Sequence, residues 1–216
     1  MLTLFEKLFL LSIDDVKGTT AKGIYGPLYF GLPGAILADL TLQGRLTGED
    51  RYIVVAKETP TNDDLLDEIL AKLAKAKKPH KASHWVRAMG SNDLPTQIAN
   101  GLTVKNILKS EEKHYFWVIP YAAFTQMDAS AKYWVKEQLR AVVLANRKPE
   151  LEDVVLLRLL KACSLLNLVF TKDERKAANE RVDLLSGEDI YGESVAAVLD
   201  SIDLAVLSAV TSVAAN

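Results

Sequence analysis

The 216-residue sequence predicts a mainly α protein: a single globular helical-bundle domain, residues 1–216, with a small β-hairpin. Three observations lead there. Apolar residues recur at helical spacing along most of the chain, Gly, Pro and short polar side chains punctuate it where helices would end, and runs favouring extended structure are few and short. With 49% hydrophobic residues, one domain can bury a substantial core, and nothing in the sequence demands a linker.

The apolar start predicts a helix over Thr3 to Ile13, followed by a Gly-rich connection through Gly18 and Gly23 and a turn at Gly26 and Pro27. Gly31 to Leu42 predicts a helix with Leu32, Ile36, Leu37 and Leu40 on one side, closed at Gly44. The β-branched run Tyr52 to Ala56 suits a strand. Asn62 or Asp63 can then cap a helix running to Lys75, with Leu65, Leu66, Ile69, Leu70 and Leu73 on its buried face. Its end, Lys-Ala-Lys-Lys-Pro, puts cations at the negative pole and Pro79 as a stop.

Ser83 can cap a short turn carrying Trp85 and Val86, ended by Gly90. A helix over Leu94 to Lys105 leads to a hairpin near 108–119, its tip at residues 109–113 and its return strand holding Tyr115, Phe116, Trp117 and Val118. Asp128 to Asn146 predicts an amphipathic helix with Trp134, Val135, Leu139, Val142 and Val143 inward. Leu151 to Phe170 predicts one strongly apolar helix, Thr171 and Glu174 a capping box opening another to about Leu185, and Glu193 to Ala214 the last. Residues 1–120 have the order of a winged-helix-like half, and 121–216 form a helical half.

Lys plus Arg at 26 against Asp plus Glu at 28 gives a net charge of -2, which argues against a nonspecific nucleic-acid coat. The sole cysteine, Cys163, lies in an apolar helix, so no intramolecular disulfide can form, and a buried thiol in a reducing, cytoplasmic setting is expected. Glu6 interrupts the apolar start, which lacks the basic region and cleavage site of a signal peptide. The run from Val195 to Ala215 is long enough to span a bilayer, but Asp200 and Asp203 lie inside it, so a packed helix is expected instead of a transmembrane one.

Chemistry has thin support. His80 and His84 are spaced as two metal ligands on one helix would be, but no third ligand is near and Pro79 interrupts, so no metal is expected. Asp63, Asp64, Asp67 and Glu68 suit the start of a helix without implying acid–base work. Nucleophile-elbow, phosphate-loop and zinc-helix patterns are absent, so neither enzyme activity nor a cofactor is expected. The helix before the hairpin offers Asn92, Gln97, Asn100 and Lys105 but no Arg, which argues against a winged-helix DNA reader.

Several pieces carry a resemblance when taken in order: LTLFEKLFLLSIDD at the start, GLPGAILADLTLQGRL, PTNDDLLDEIL, Trp85, LTVKNIL before the hairpin, DVVLLRLLKACSLLNLVF and ERVDLL. Together they resemble the Golgi phosphoprotein 3 family, whose eukaryotic members bind phosphatidylinositol 4-phosphate on Golgi membranes. The resemblance implies a noncatalytic, cytoplasmic module, peripheral at the inner membrane surface, with an anionic phospholipid head group as partner. At the positions of the family's lipid-gripping Trp and Arg residues this chain has Ile24, Pro33, Asn92 and Pro95, with Tyr25, Arg87 and Lys105 as nearby sources of a ring or charge. The family's hairpin contributes to oligomer contacts, so Tyr115, Phe116 and Trp117 are the expected oligomer or membrane contact. A homo-oligomeric protein-protein scaffold or adaptor is one alternative reading, and a winged-helix DNA-binding protein is another.

Overall fold

A computed structural model describes residues 1–15, 17–20, 23–49, 52–91, 93–115, 119–126, 129–187 and 192–215. In chain order the elements are α1 (Leu4–Ser12), α2 (Tyr25–Leu42), β1 (Leu46–Glu49), β2 (Tyr52–Val55), α3 (Asp64–Ala74), α4 (Ala82–Met89) and α5 (Leu94–Val104). There follow β3 (Leu108–Tyr115), β4 (Ile119–Gln126), α6 (Ala129–Leu144), α7 (Leu151–Ala162), a 3-10 turn (Leu166–Leu168), α8 (Arg175–Ser186) and α9 (Glu193–Ala214). The chain is mainly α, as its periodicity predicts.

Every residue of α1 is buried, so its polar groups must find partners inside the protein. They do. The Thr3 hydroxyl accepts from the Glu6 amide at 3.4 Å, and the Glu6 carboxylate accepts from the Thr3 amide at 3.0 Å, a reciprocal capping box. The carboxylate of Asp39, reaching across from α2, accepts the next two amides, Leu4 at 3.0 Å and Phe5 at 3.2 Å. Ser12 donates to the Phe9 carbonyl, and Lys7 pairs with Glu152. Burial pushes the Asp39 carboxyl up to about 7 even though the two amides pull it down.

Two glycines let α2 approach its neighbours closely. A Cβ on Gly31 would lie 2.6 Å from the Cys163 Sγ, and one on Gly34 would lie 2.6 Å from the Val206 Cγ2 of α9. The GLPG sequence is therefore a packing seam: its glycines admit α7 and α9, and Pro33 is buried between them. Arg158 of α7, only 6% exposed, lies between Asp200 and Asp203 of α9 and donates to both. These acids interrupt the one described helix long and apolar enough to cross a membrane, Glu193–Val213, and the Arg158 pairing accounts for their place in an apolar helix packed on the protein.

Several expectations are corrected. α2 starts at Tyr25, six residues early, because Gly26 and Pro27 sit in its first turn, where a missing proline amide breaks no helical bond. The strand at Tyr52 has a partner, β1, so the described residues hold two two-stranded antiparallel sheets instead of one β element. Lys81, not Ser83, precedes the first residue of α4, without a side-chain cap. The polar run 109–113 lies within β3, paired in register from Leu108↔Gln126 to Tyr115↔Ile119, because it contains none of the Gly, Asn or Pro that a tight turn uses.

Trp134 is 56% exposed, although Val135, Leu139, Val142 and Val143 of the same helix are buried. The predicted helix over Leu151 to Phe170 ends at Ala162, where Cys163 closes α7 and Ser164 takes a left-handed φ of 58°. Glu174 ends up as the residue before α8, its carboxylate accepting the Thr171 amide at 2.9 Å. Cys163 itself is fully buried, and burial drives its thiol well above the ordinary range, as an inert structural cysteine requires.

Candidate functional site

Two regions compete for the role of ligand site, and α4 connects them. Its C-terminal end meets the face of α2 on which Tyr25, Tyr29 and Pro33 follow one another at four-residue spacing. The Tyr29 hydroxyl donates to the Gly90 carbonyl at 2.6 Å, and a Cβ on Gly90 would fall 2.4 Å from the tyrosine ring. Gly90 thus lets the α4–α5 connection close on α2.

Around that contact, Ile24 precedes α2 and is 6% exposed, while Tyr25 is 49% exposed. Arg87 is exposed on the last turn of α4, and Pro95 is in the first turn of α5. Asn92 lies outside the described residues. Ile24 and Pro33 belong to the core, so the α2 side of this face offers Tyr25 as its accessible ring.

Lys105 follows α5 and is committed elsewhere. Its ammonium lies 2.7 Å from Glu6, which is 2% exposed, and 3.5 Å from Asp63. Burial alone would lower Lys105, but its hydrogen bond to Glu6 and the charges of Glu6 and Asp63 outweigh that and hold it raised. This pair borders a cavity of about 380 Å³ lined also by Asp64, Gln97 and Asn100. Three acids opposite the polar residues of α5 disfavour a duplex backbone there.

The other region is the junction of α3 and α4. The chain leaving α3 turns back onto β2, where the Ile53 amide donates to the His80 carbonyl at 2.9 Å, and this fixes the segment that carries the cations. One cavity of about 260 Å³ is floored by Ile53, Val55, Leu73, Pro79 and Trp85 and rimmed by Lys77 and Lys78. A second, of about 510 Å³, shares Lys78 and Pro79 and adds Tyr52, His80, Lys81, Ser83 and His84. The rings of His80 and His84 stack with centroids 3.9 Å apart and planes 14° from parallel, and Trp85 meets both edge-on. Partial desolvation first, then the charges of His84 and Lys78, holds His80 below the ordinary imidazole range.

Sequence reasoning missed this grouping by treating the lysines as complements to a helix end and the histidines as separate surface residues. The signal was available: between Glu68 and Asp93 the chain has Lys72, Lys75, Lys77, Lys78, Lys81 and Arg87 and no acid. Among the described residues, no group of three or more His, Cys, Asp or Glu side chains is arranged to hold a metal ion. Tyr115 ends β3, and Phe116 and Trp117 lie outside the described residues.

The family model described as Golgi phosphoprotein 3 (GPP34) matches residues 4–202, from the first residue of α1 into α9. The chain belongs to the Golgi phosphoprotein 3 family. Of the positions that the family resemblance singled out, Ile24 and Pro33 are buried and carry no charge, and Pro95 lies in the first turn of α5.

Proposed function

We propose that this protein is a noncatalytic, peripheral interaction module that engages anionic lipid head groups at the cytoplasmic surface of a membrane. Membership of the Golgi phosphoprotein 3 family over residues 4–202 is the observation that carries this reading. The family face on α2 and α4 supplies Tyr25 and Arg87 as the exposed ring and cation, with Pro95 at the start of α5 beside them in sequence. Flotation with vesicles containing anionic phospholipid, at low salt, tests it. Recovery with those vesicles and not with neutral ones is expected; absence of the protein from the floating fraction overturns the reading.

A second reading, an oligomeric scaffold, is favoured by the β3–β4 ribbon. Each strand has eight residues; the outer edge of β4 meets Gly18, whose carbonyl accepts from the Phe124 amide, while β3 has no second strand partner among the described residues, an edge to which another strand can add. Light scattering on the wild type and on Trp117→Asp examines it, and a monomer in both refutes assembly through the hairpin.

A further inference from the structure

The cations of the α3–α4 junction stand out by lying together without ion partners among the described residues. Lys72 pairs with Glu68 at 2.6 Å, but no ion pair or hydrogen bond among the described residues engages the side chains of Lys75, Lys77, Lys78 or Lys81. Elsewhere Lys7, Lys105, Lys132, Arg140, Arg147, Arg158 and Lys161 all face carboxylates. Among the described residues, Glu58 is the one carboxylate that lines either junction cavity.

One buried side-chain donor without an acceptor among the described residues lies at the same place. The Trp85 indole lines the smaller cavity, and its buried Nε1–H has no acceptor among the described residues. No side chain caps the first turn of α4, and Ser83 of that turn lines the larger cavity with Lys78, Lys81 and both imidazoles. Beneath the Lys77 and Lys78 rim, the aliphatic floor and the indole suit the less polar part of an amphiphile, with Tyr52 exposed at the edge.

We infer that the two adjoining cavities form one site for the phosphate-bearing head group of an anionic membrane lipid, separate from the family face at the other end of α4. This inference rests on the lipid-surface reading above and locates its grip. The eight residues of α4 span about 12 Å, so the two places are one short helix apart. The patch is narrow: the opposite end of α3 presents Asp63, Asp64, Asp67 and Glu68, which would repel a long polyanion but not a single head group.

The stacked histidines make the site responsive to pH. His80 faces His84, Lys78, Lys81 and Tyr52, with Glu58 beyond the Lys77 and Lys78 rim, so an added proton meets mainly positive neighbours. A bound phosphate reverses that balance and favours imidazolium. Binding takes up protons, and affinity rises as pH falls through the imidazole range.

The test is co-flotation with phosphatidylcholine vesicles with and without phosphatidylglycerol, at about pH 6 and about pH 8. It compares the wild type, Lys77→Gln/Lys78→Gln/Lys81→Gln, and a family-face variant, Tyr25→Ala/Arg87→Gln. The three lysines are exposed and unpaired, so circular dichroism and the melting temperature should match the wild type. The expected result is recovery of wild type with phosphatidylglycerol vesicles only, weakened about 100-fold in the lysine variant and by a smaller factor in the family-face variant, whose loss measures that face's share.

Equal binding by wild type and lysine variant overturns this site while leaving the lipid-surface reading intact. Failure of the wild type to float overturns both. Inorganic phosphate that shifts the Trp85 indole resonance, without vesicle binding, overturns the lipid as ligand and identifies a soluble phosphate instead. Tighter binding at the lower pH, abolished in His80→Gln/His84→Gln, is the expected signature of the imidazole pair; equal wild-type affinity at both pH values refutes their part.

Discussion

Arg158 and the Lys77–Lys78 rim are both cationic, yet one is buried between two acids and the other is exposed without an ion pair among the described residues. At Arg158 the surroundings are apolar, so the charge persists only because Asp200 and Asp203 accept from it; burial nonetheless pushes Asp203 up to about 6 against the pull of Arg158. At the α3–α4 junction the lysines are exposed to water, and among the described residues none of Lys77, Lys78 and Lys81 is ion-paired with a carboxylate. Cations of the first kind hold helices together. Cations of the second kind leave the fold indifferent to them and are available to an outside anion.

Removing the buried cation gives the largest expected effect. Arg158→Ala should cost about 3–5 kcal/mol in urea denaturation, because it strands Asp203 inside the α7–α9 contact; a loss below 1 kcal/mol would break the contrast with the exposed lysines. Next comes the glycine seam. Gly34→Ala forces a carbon against Val206 Cγ2 and should lose about 1–3 kcal/mol, with Val206→Ala in the same chain restoring part of it; absence of any rescue would mean that the strain lies elsewhere.

The pH dependence sharpens the comparison. Asp39 and Asp203 have folded-state values raised to about 7 and about 6, so each binds its proton more tightly folded than unfolded. Their contribution is fully present below the unfolded carboxyl range near 3.8 and is lost as pH rises through 6 and 7. Glu174 works the other way. Its hydrogen bonds from Arg140, then from the Thr171 amide, hold it down at about 2, so its contribution is present above 4.5 and disappears as pH falls toward 2. Asp39→Asn should flatten the decline between about pH 4 and 7, measured by denaturant midpoints against pH; an unchanged slope would refute the buried-carboxyl account. The smallest effect is Tyr29→Phe, which removes the 2.6 Å bond to Gly90 and should lower stability by about 1 kcal/mol in the same assay, with no change excluding a structural role for that bond.

Much of the helical framework was legible because it is written locally. Asp63 caps α3 through the Leu66 amide at 3.2 Å, Gly90 closes α4, and α9 runs over Glu193–Ala214 as its apolar spacing predicts. The errors share a cause in nonlocal packing. Ser164 bends left-handed so that the chain beyond α7 can turn, a conformation that serine signals poorly. β1 has only four residues, Leu-Thr-Gly-Glu, with little strand character until β2 pairs with it. Asp39 looked like an ordinary helical acid, and only the fold sets it over the start of α1.

The candidate site was less legible for the same reason. Lys77, Lys78 and Lys81 surround the end of one helix and the start of the next, and sequence alone accounts for them as solvated charges. Their convergence with Tyr52, Trp85 and the two histidines depends on the bridge between Ile53 and His80, a pairing that no spacing rule predicts. The family positions Ile24, Pro33, Asn92 and Pro95 came from aligned residues instead; Ile24 and Pro33 are buried, and Asn92 lies outside the described residues.

The edge-on placement of Trp85 against His80 and His84, with ring centroids 5.6 and 5.2 Å apart, gives the protein an optical reporter of its own. An indole emits differently beside neutral imidazole than beside imidazolium, which quenches it. Its emission therefore follows the charge state of the neighbouring rings, and occupation of the junction can be watched in solution without attaching a dye.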